Sequence, residues 1–253
     1  MDHGRPVISP EINPGIGGNR ALSWARPGSM LSWLAGLASR PGISLGLAGA
    51  IAVTDLTIGW QDLGFLPRAL IDEPCHLATA LVVLGAITRW RGSPPGAWFG
   101  WSLLSASVLI DLDHVPRQLG WPALTAGTPR PYTHALWIVA LFSVAAALAW
   151  RHSRRAGTPR STAAAGLLTG AAWGLAAHFL RDVATAPISL WWPLSDAGVQ
   201  VAYWWYLGAL LVLAVLPPRH PGHDDRPGPA RRSRATRRGR GGPGREPAPW
   251  RPG

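Results

Sequence analysis

The chain contains no lysine; all 24 of its basic residues are arginine. It has a single cysteine, Cys75, so no disulfide framework can form within it, and a stapled secreted domain is excluded. Acidic residues are scarce, with 13 Asp and Glu in 253 residues and a formal net charge of +11. Charged residues amount to 15%, against roughly a quarter in a soluble domain. That balance does not fit an ordinary soluble enzyme. The arginines are also unevenly placed: ten follow Leu216, four precede Pro41, and ten are spread over the stretch between.

That middle stretch holds six apolar runs separated by Pro, Gly or charge, at about Ile43–Trp60, Pro74–Trp90, Ala97–Val115, Thr133–Trp150, Thr162–Ala186 and Val199–Leu216. Their lengths match the roughly 17–25 residues with which a helix crosses a bilayer. Polar residues gather at one end of each run, whereas a soluble amphipathic helix carries a polar stripe along its length. Trp60, Trp90, Trp98, Trp101, Trp150, Trp191 and Trp192 stand near run ends, as an interfacial aromatic belt does. The pattern predicts an all-α, polytopic membrane helix bundle of about six transmembrane helices over residues 43–216. Residues 1–42, rich in Gly, Pro, Ser and Arg, read as a flexible tail, with Met30 a second candidate start. Residues 217–253 form an Arg/Gly/Pro tract that cannot bury a core and reads as disordered.

Placing both termini inside puts 20 arginines on the inner side and 4 on the outer. The positive-inside rule therefore predicts a multi-pass protein of the cell (inner, cytoplasmic) membrane with both termini cytoplasmic. Attraction to anionic lipid accounts for the basic C-terminal tract. It lacks the interleaved aromatics on which bases stack, so no specific nucleic-acid binding is expected.

On that topology all acids of the middle stretch, and every His there except His152, fall in the outer half. His76 opens the second run, Asp111, Asp113 and His114 close the third, and His134 opens the fourth. His178 and Asp182 come late in the fifth. Such groups are costly in lipid and must face protein or a wet cavity. His178 and Asp182 are i and i+4, and Asp111 and His114 are i and i+3, so each pair shares a helix face. Asp113 points away on a regular helix, unless Pro116 loosens the helix end. Imidazole and carboxylate without thiolate suit a divalent metal at a catalytic centre, zinc first, with manganese or iron as alternatives. Seven candidates exceed the four ligands of one tetrahedral ion. They imply either two ions or one ion with supporting partners and a base. Plainer roles compete: Asp72 and Glu73 as helix caps, Asp55 evenly balanced between structural acid and site, Asp62 and Asp196 as solvated loop residues, and Cys75 as an inert buried thiol.

Cys75-His76, Asp111-Leu112-Asp113-His114, Arg130-Pro131-Tyr132-Thr133-His134, His178-Phe179-Leu180-Arg181-Asp182 and Trp192-Pro193-Leu194 follow in order. Over about residues 70–200 this set resembles the YdjM-like family of membrane-bound, metal-dependent hydrolases, also labelled LexA-binding inner-membrane proteins. The chain departs from the family pattern at Cys75 (Thr), Pro131 (Gly) and Ala135 (Ser), and by an additional helix ahead of the first motif. The candidate ligands are untouched. No residue reads as a LexA-binding surface.

Three functions compete. The first is a metal-dependent hydrolase at the extracytoplasmic membrane surface, acting on a lipid-linked ester, phosphoester or amide. There His76, Asp113, His114, His134, His178 and Asp182 supply ligands, Asp111 or Asp182 orients a ligand or acts as base, and Arg130 or Arg181 holds an anionic group. The second is a proton-coupled carrier, since intramembrane His and Asp also form relays. Its sites sit near the midplane of repeated halves, and no repeat is visible here. The third is a non-catalytic metal-binding membrane scaffold.

Overall fold

The computed structural model describes residues 27–219 other than 59, 60, 62, 122, 123, 126, 127 and 129. Residues 1–26 and 220–253, with most of the two expected tails, lie outside the described residues, as do Trp60 and Asp62.

The described residues are helical. α1 (Pro27–Ala38) and α2 (Pro41–Ile58) are followed by α3 (Phe65–Arg91) and α4 (Ala97–Leu109). A 3-10 turn over Ile110–His114 runs into the short α5 (Val115–Gln118). α6 (Leu136–Ala156), α7 (Pro159–Thr185) and α8 (Tyr203–Val215) complete the chain. Among the described residues the only β pairing is one isolated bridge, Ile188 to Val199.

Each of the six apolar runs holds a helix, but six crossings are not what the lengths support. α3 from Leu66 to Arg91, α6 and α7 are long and apolar enough to cross a membrane. α1 and α2 meet at 81° and make a fourth only if the bent pair is one broken span; the same geometry describes a re-entrant loop. α4 and α8 have 13 residues each. The third run breaks at Leu109, where the acids of Asp111-Leu112-Asp113 and then Pro116 end the regular helix. The sixth begins at Tyr203 because Val199 is tied to Ile188 and the Val201 amide donates to the Val183 carbonyl. Apolar composition alone counted those flanks as helix.

α1 is a further departure, since it lies in the stretch expected to be a flexible tail. Its Leu31 and Ala35 are buried with Ala80 and Leu84 of α3 and Leu103 and Leu104 of α4. Twelve residues are too few to announce a span, and what holds α1 is tertiary burial that no local pattern encodes.

α7 lies at the centre, against α3, α4, α6 and α8. Thr158 caps its start, the side chain accepting from the Ser161 amide at 3.2 Å, with Pro159 in the first turn. Small residues let α4 press close. A Cβ at Gly170 would stand 2.2 Å from the Phe99 carbonyl oxygen, and one at Gly174 2.3 Å from that of Leu103. Both obstacles are backbone, so a larger residue must push the helices apart. Gly174→Ala is expected to destabilise the bundle by about 1–3 kcal/mol. A thermal midpoint in detergent equal to wild type would show that α4 is free to move.

α6 is the most outlying helix: only 11% of its most apolar window is buried, and Leu141, Val144 and Leu148 face outward. At the end of α3 far from the acids, Arg89 ties three helices. Its guanidinium donates to Ser39 O at 2.9 Å, Leu216 O at 3.2 Å and Leu213 O. A cation on these last-turn carbonyls satisfies acceptors that the helices leave open.

Candidate metal centre

The acids and histidines converge where α2, α4 and α7 end and α3 and α6 begin. A 3-10 turn has three residues per turn, so i and i+3 eclipse. That places Asp111 and His114 on one side, with His114 Nε2 3.4 Å from Asp111 Oδ1. On α7, His178 Nε2 lies 3.1 Å from Asp182 Oδ2, the i,i+4 pair of one face. The segment before α6 brings His134 between them.

Four donor atoms close around one point. His134 Nε2 is 3.1 Å from Asp111 Oδ1, 3.2 Å from His178 Nε2 and 3.5 Å from Asp182 Oδ2. His178 Nε2 is 3.5 Å from Asp111 Oδ1. A tetrahedral ion at 2.0–2.1 Å from its ligands separates them by roughly 3.3–3.4 Å. The tautomers agree with such an ion. His178 Nδ1 is 2.9 Å from the Ser107 carbonyl, which can only accept, so in the neutral ring the proton is on Nδ1 and the Nε2 lone pair faces the group. His134 presents Nε2 to the same point and Nδ1 to Asp113, 3.3 Å from its Oδ2. Thr133 in turn donates to that Asp113 oxygen. A carboxylate behind a ligating imidazole is the usual device for fixing its orientation.

A second group of Asp111, Asp113, His114 and His134 also brings four donor atoms within 4.8 Å of one another. It shares Asp111 and His134 with the first. Both are groups that could hold a metal ion. The fit is supported by Asp182 Oδ1 and Asp113 Oδ1, buried carboxylate oxygens that make no hydrogen bond here. The site favours positive charge. Burial works against a charge on His134, yet the Asp111 and Asp113 carboxylates outweigh it and push its imidazole up to about 9.

Of the residues expected from sequence, Asp111, His134, His178 and Asp182 form the first group. Asp113 and His114 join only the second. Asp113, expected to point away, reaches His134 because the helix has tightened to 3-10. His76 stands outside both groups. Its ring stacks on His178 at 3.9 Å, and its Nε2 accepts from Arg181 Nη1 at 3.0 Å. Arg181 is 1% exposed and held by Asp55 at 2.5 Å and by Asp72. It is the centre of a buried ion-pair group and also borders a cavity of about 470 Å³. Arg130 Nη1 lies 2.5 Å from Asp182 Oδ2. Cys75 is buried. Two residues did more than sequence suggested. Asp72 is i−4 to His76, the same spacing that exposed His178 and Asp182, and reading that spacing there would have found it. Ser107 acts through its backbone carbonyl, for which no residue type is a signal.

The model of the YdjM inner membrane protein family matches residues 71–234. The chain belongs to the YdjM inner membrane protein family. The match covers every residue of both metal-competent groups, whereas α1 and α2 precede it. No curated protein and no solved structure matches the chain. Membership in the YdjM family carries the membrane location. What the site does must be argued from its geometry.

Proposed function

We propose that this protein is a membrane-bound metal-dependent hydrolase whose ion is held by Asp111, His134, His178 and Asp182. The observation that carries this reading is the meeting of two imidazole Nε2 atoms 3.2 Å apart between two carboxylates. A divalent ion at that point would take the lone pairs of both Nε2 atoms and one oxygen of each carboxylate, in place of the proton on His134 and beside the Arg130 guanidinium that faces Asp182 Oδ2. The N2O2 donor set suits zinc first and also manganese or iron. A bound divalent ion lowers the pKa of water to near neutrality and polarises a scissile carbonyl or phosphoryl.

The protein's own groups supply the rest. Asp113 and the Ser107 carbonyl fix the two imidazoles. His114 and Asp111 line a cavity of about 250 Å³, where His114 can take a proton from attacking water. Metal analysis of detergent-purified protein is the direct test. Wild type is expected to retain a divalent ion and His134→Ala to lose it. Equal metal in both would remove His134 from the centre.

The arginine distribution supports cytoplasmic termini and a site on the extracytoplasmic side. Single cysteines at Gln118 and His152, in a Cys75→Ser background, report on this. An impermeant thiol reagent is expected to label position 118 from outside and position 152 only after permeabilisation. The reverse pattern would move the site to the cytoplasmic side.

A further inference from the structure

The cavity over the metal group is lined by Arg68 from α3, Arg117 from α5 and Arg130 from the segment before α6, beside Asp72, Glu73, Asp111 and His114. A neighbouring cavity of about 470 Å³ shares Arg68, Asp72 and Arg130 and extends to Asp55, Leu56, Arg181 and Tyr203. Three guanidinium groups from three separate segments thus border one small space that also reaches two metal-competent residues. Arg130 is matched by Asp182, but Arg68 forms an ion pair with none of the described residues. The segments that supply these arginines also carry large exposed apolar side chains: Leu66, Leu70, Leu112, Leu119 and Trp121 are all more than 60% exposed. Arginine forks beside apolar side chains are what an interface presents to an anionic head group with a lipid tail.

Resting on the hydrolase reading above, we infer that the substrate is a phosphate monoester of a lipid alcohol, its phosphate seated between Arg68, Arg117 and Arg130 and the metal. A planar guanidinium pairs with phosphate through two parallel hydrogen bonds, and three of them with a divalent ion match a dianion. In the reaction, the oxygen of water bonds to phosphorus as the bond from phosphorus to the lipid oxygen breaks. The proton lost by water passes to His114, which returns it to the lipid oxygen as that bond breaks, so the lipid alcohol leaves protonated beside inorganic phosphate.

The test is calorimetric titration of the full chain in detergent with dihexanoyl phosphatidate, dihexanoyl glycerol and inorganic phosphate. Metal content is measured on the same samples. Phosphatidate is expected to bind at least tenfold more tightly than inorganic phosphate, and the neutral glyceride not to compete. Arg68→Gln with Arg117→Gln is expected to weaken phosphatidate by about tenfold or more, each change removing a charge-assisted contact, with metal content unchanged. Arg68→Lys with Arg117→Lys should recover part of the loss. Phosphatidate binding that survives the double Gln change in metal-replete protein overturns the seat. Glyceride binding as tightly as phosphatidate overturns the phosphate, and inorganic phosphate matching phosphatidate overturns the lipid. Wild type without metal that still binds phosphatidate through these arginines would defeat the hydrolase reading while leaving the seat in place.

Discussion

His178→Ala is expected to abolish turnover and empty the metal centre while leaving the helices inserted. The imidazole is fully buried, holds its Nδ1 on the Ser107 carbonyl and offers Nε2 within 3.1–3.5 Å of Asp182, His134 and Asp111. Outer-shell changes around metal sites cost about 10–100-fold in affinity or activity, and loss of a ligand should exceed that. Asp113→Asn gives the comparison: it orients His134 from the Nδ1 side, so a loss of about 10–100-fold is expected with the ion retained more weakly. Asp182→Asn should lower both metal content and turnover, because Oδ2 belongs to the donor group. The structural cost of His178→Ala is the hydrogen bond to Ser107 and some packing, about 1–3 kcal/mol. Detergent-extracted variants would be compared for metal content, turnover of the substrate class above and thermal midpoint. A wild-type protein free of divalent ion, with histidine variants that only misfold, would make these side chains interhelical struts and point to a structural or transport role.

The sequence was most legible where a residue type has one costly alternative. An ionisable group in an apolar run must be gathered inward, so His178 and Asp182, and Asp111 with His114, announced their faces through spacing alone. Helix existence was equally plain, since each apolar run holds a helix. Three things were not. The length of a run did not reveal that α4 stops at Leu109, because Ile110 and Leu112 are as apolar as what precedes them. The short helix α1 has its reason in contacts with α3 and α4, far away in sequence. Nor does composition tell which nitrogen of an imidazole faces the centre. His76 sits in the same kind of motif as the others, yet Arg181 takes its Nε2, and that pairing depends on how α3 and α7 cross.

Arg181→Met is expected to be the most destabilising single change in the bundle. The guanidinium is buried and reaches Asp55 at 2.5 Å, Asp72, and His76 at 3.0 Å, and the Tyr203 hydroxyl donates to the other Asp55 oxygen at 2.7 Å. Methionine fills similar space but leaves carboxylates facing an apolar interior without a cation, a situation that costs about 3–5 kcal/mol when a buried pair is broken. Asp72 is partly exposed and carries less of that cost, so Asp55 is the main liability. Adding Asp55→Asn to Arg181→Met should therefore restore much of the stability, because the orphaned charge is removed along with its partner. The same residue bears on how many ions the centre takes. His76 Nε2 lies 3.5 Å from Asp182 Oδ1 and 3.8 Å from Asp111 Oδ2, so the second oxygens of the two central carboxylates face this ring. Arg181 already supplies a positive charge on that side and holds the His76 lone pair. Wild type is accordingly expected to bind one ion per chain, and the Asp55→Asn, Arg181→Met variant, with His76 released, to bind more than one. Two ions per wild-type chain would show that the guanidinium yields its place, and a variant as stable as wild type without Arg181 would show that the buried acids never depended on it.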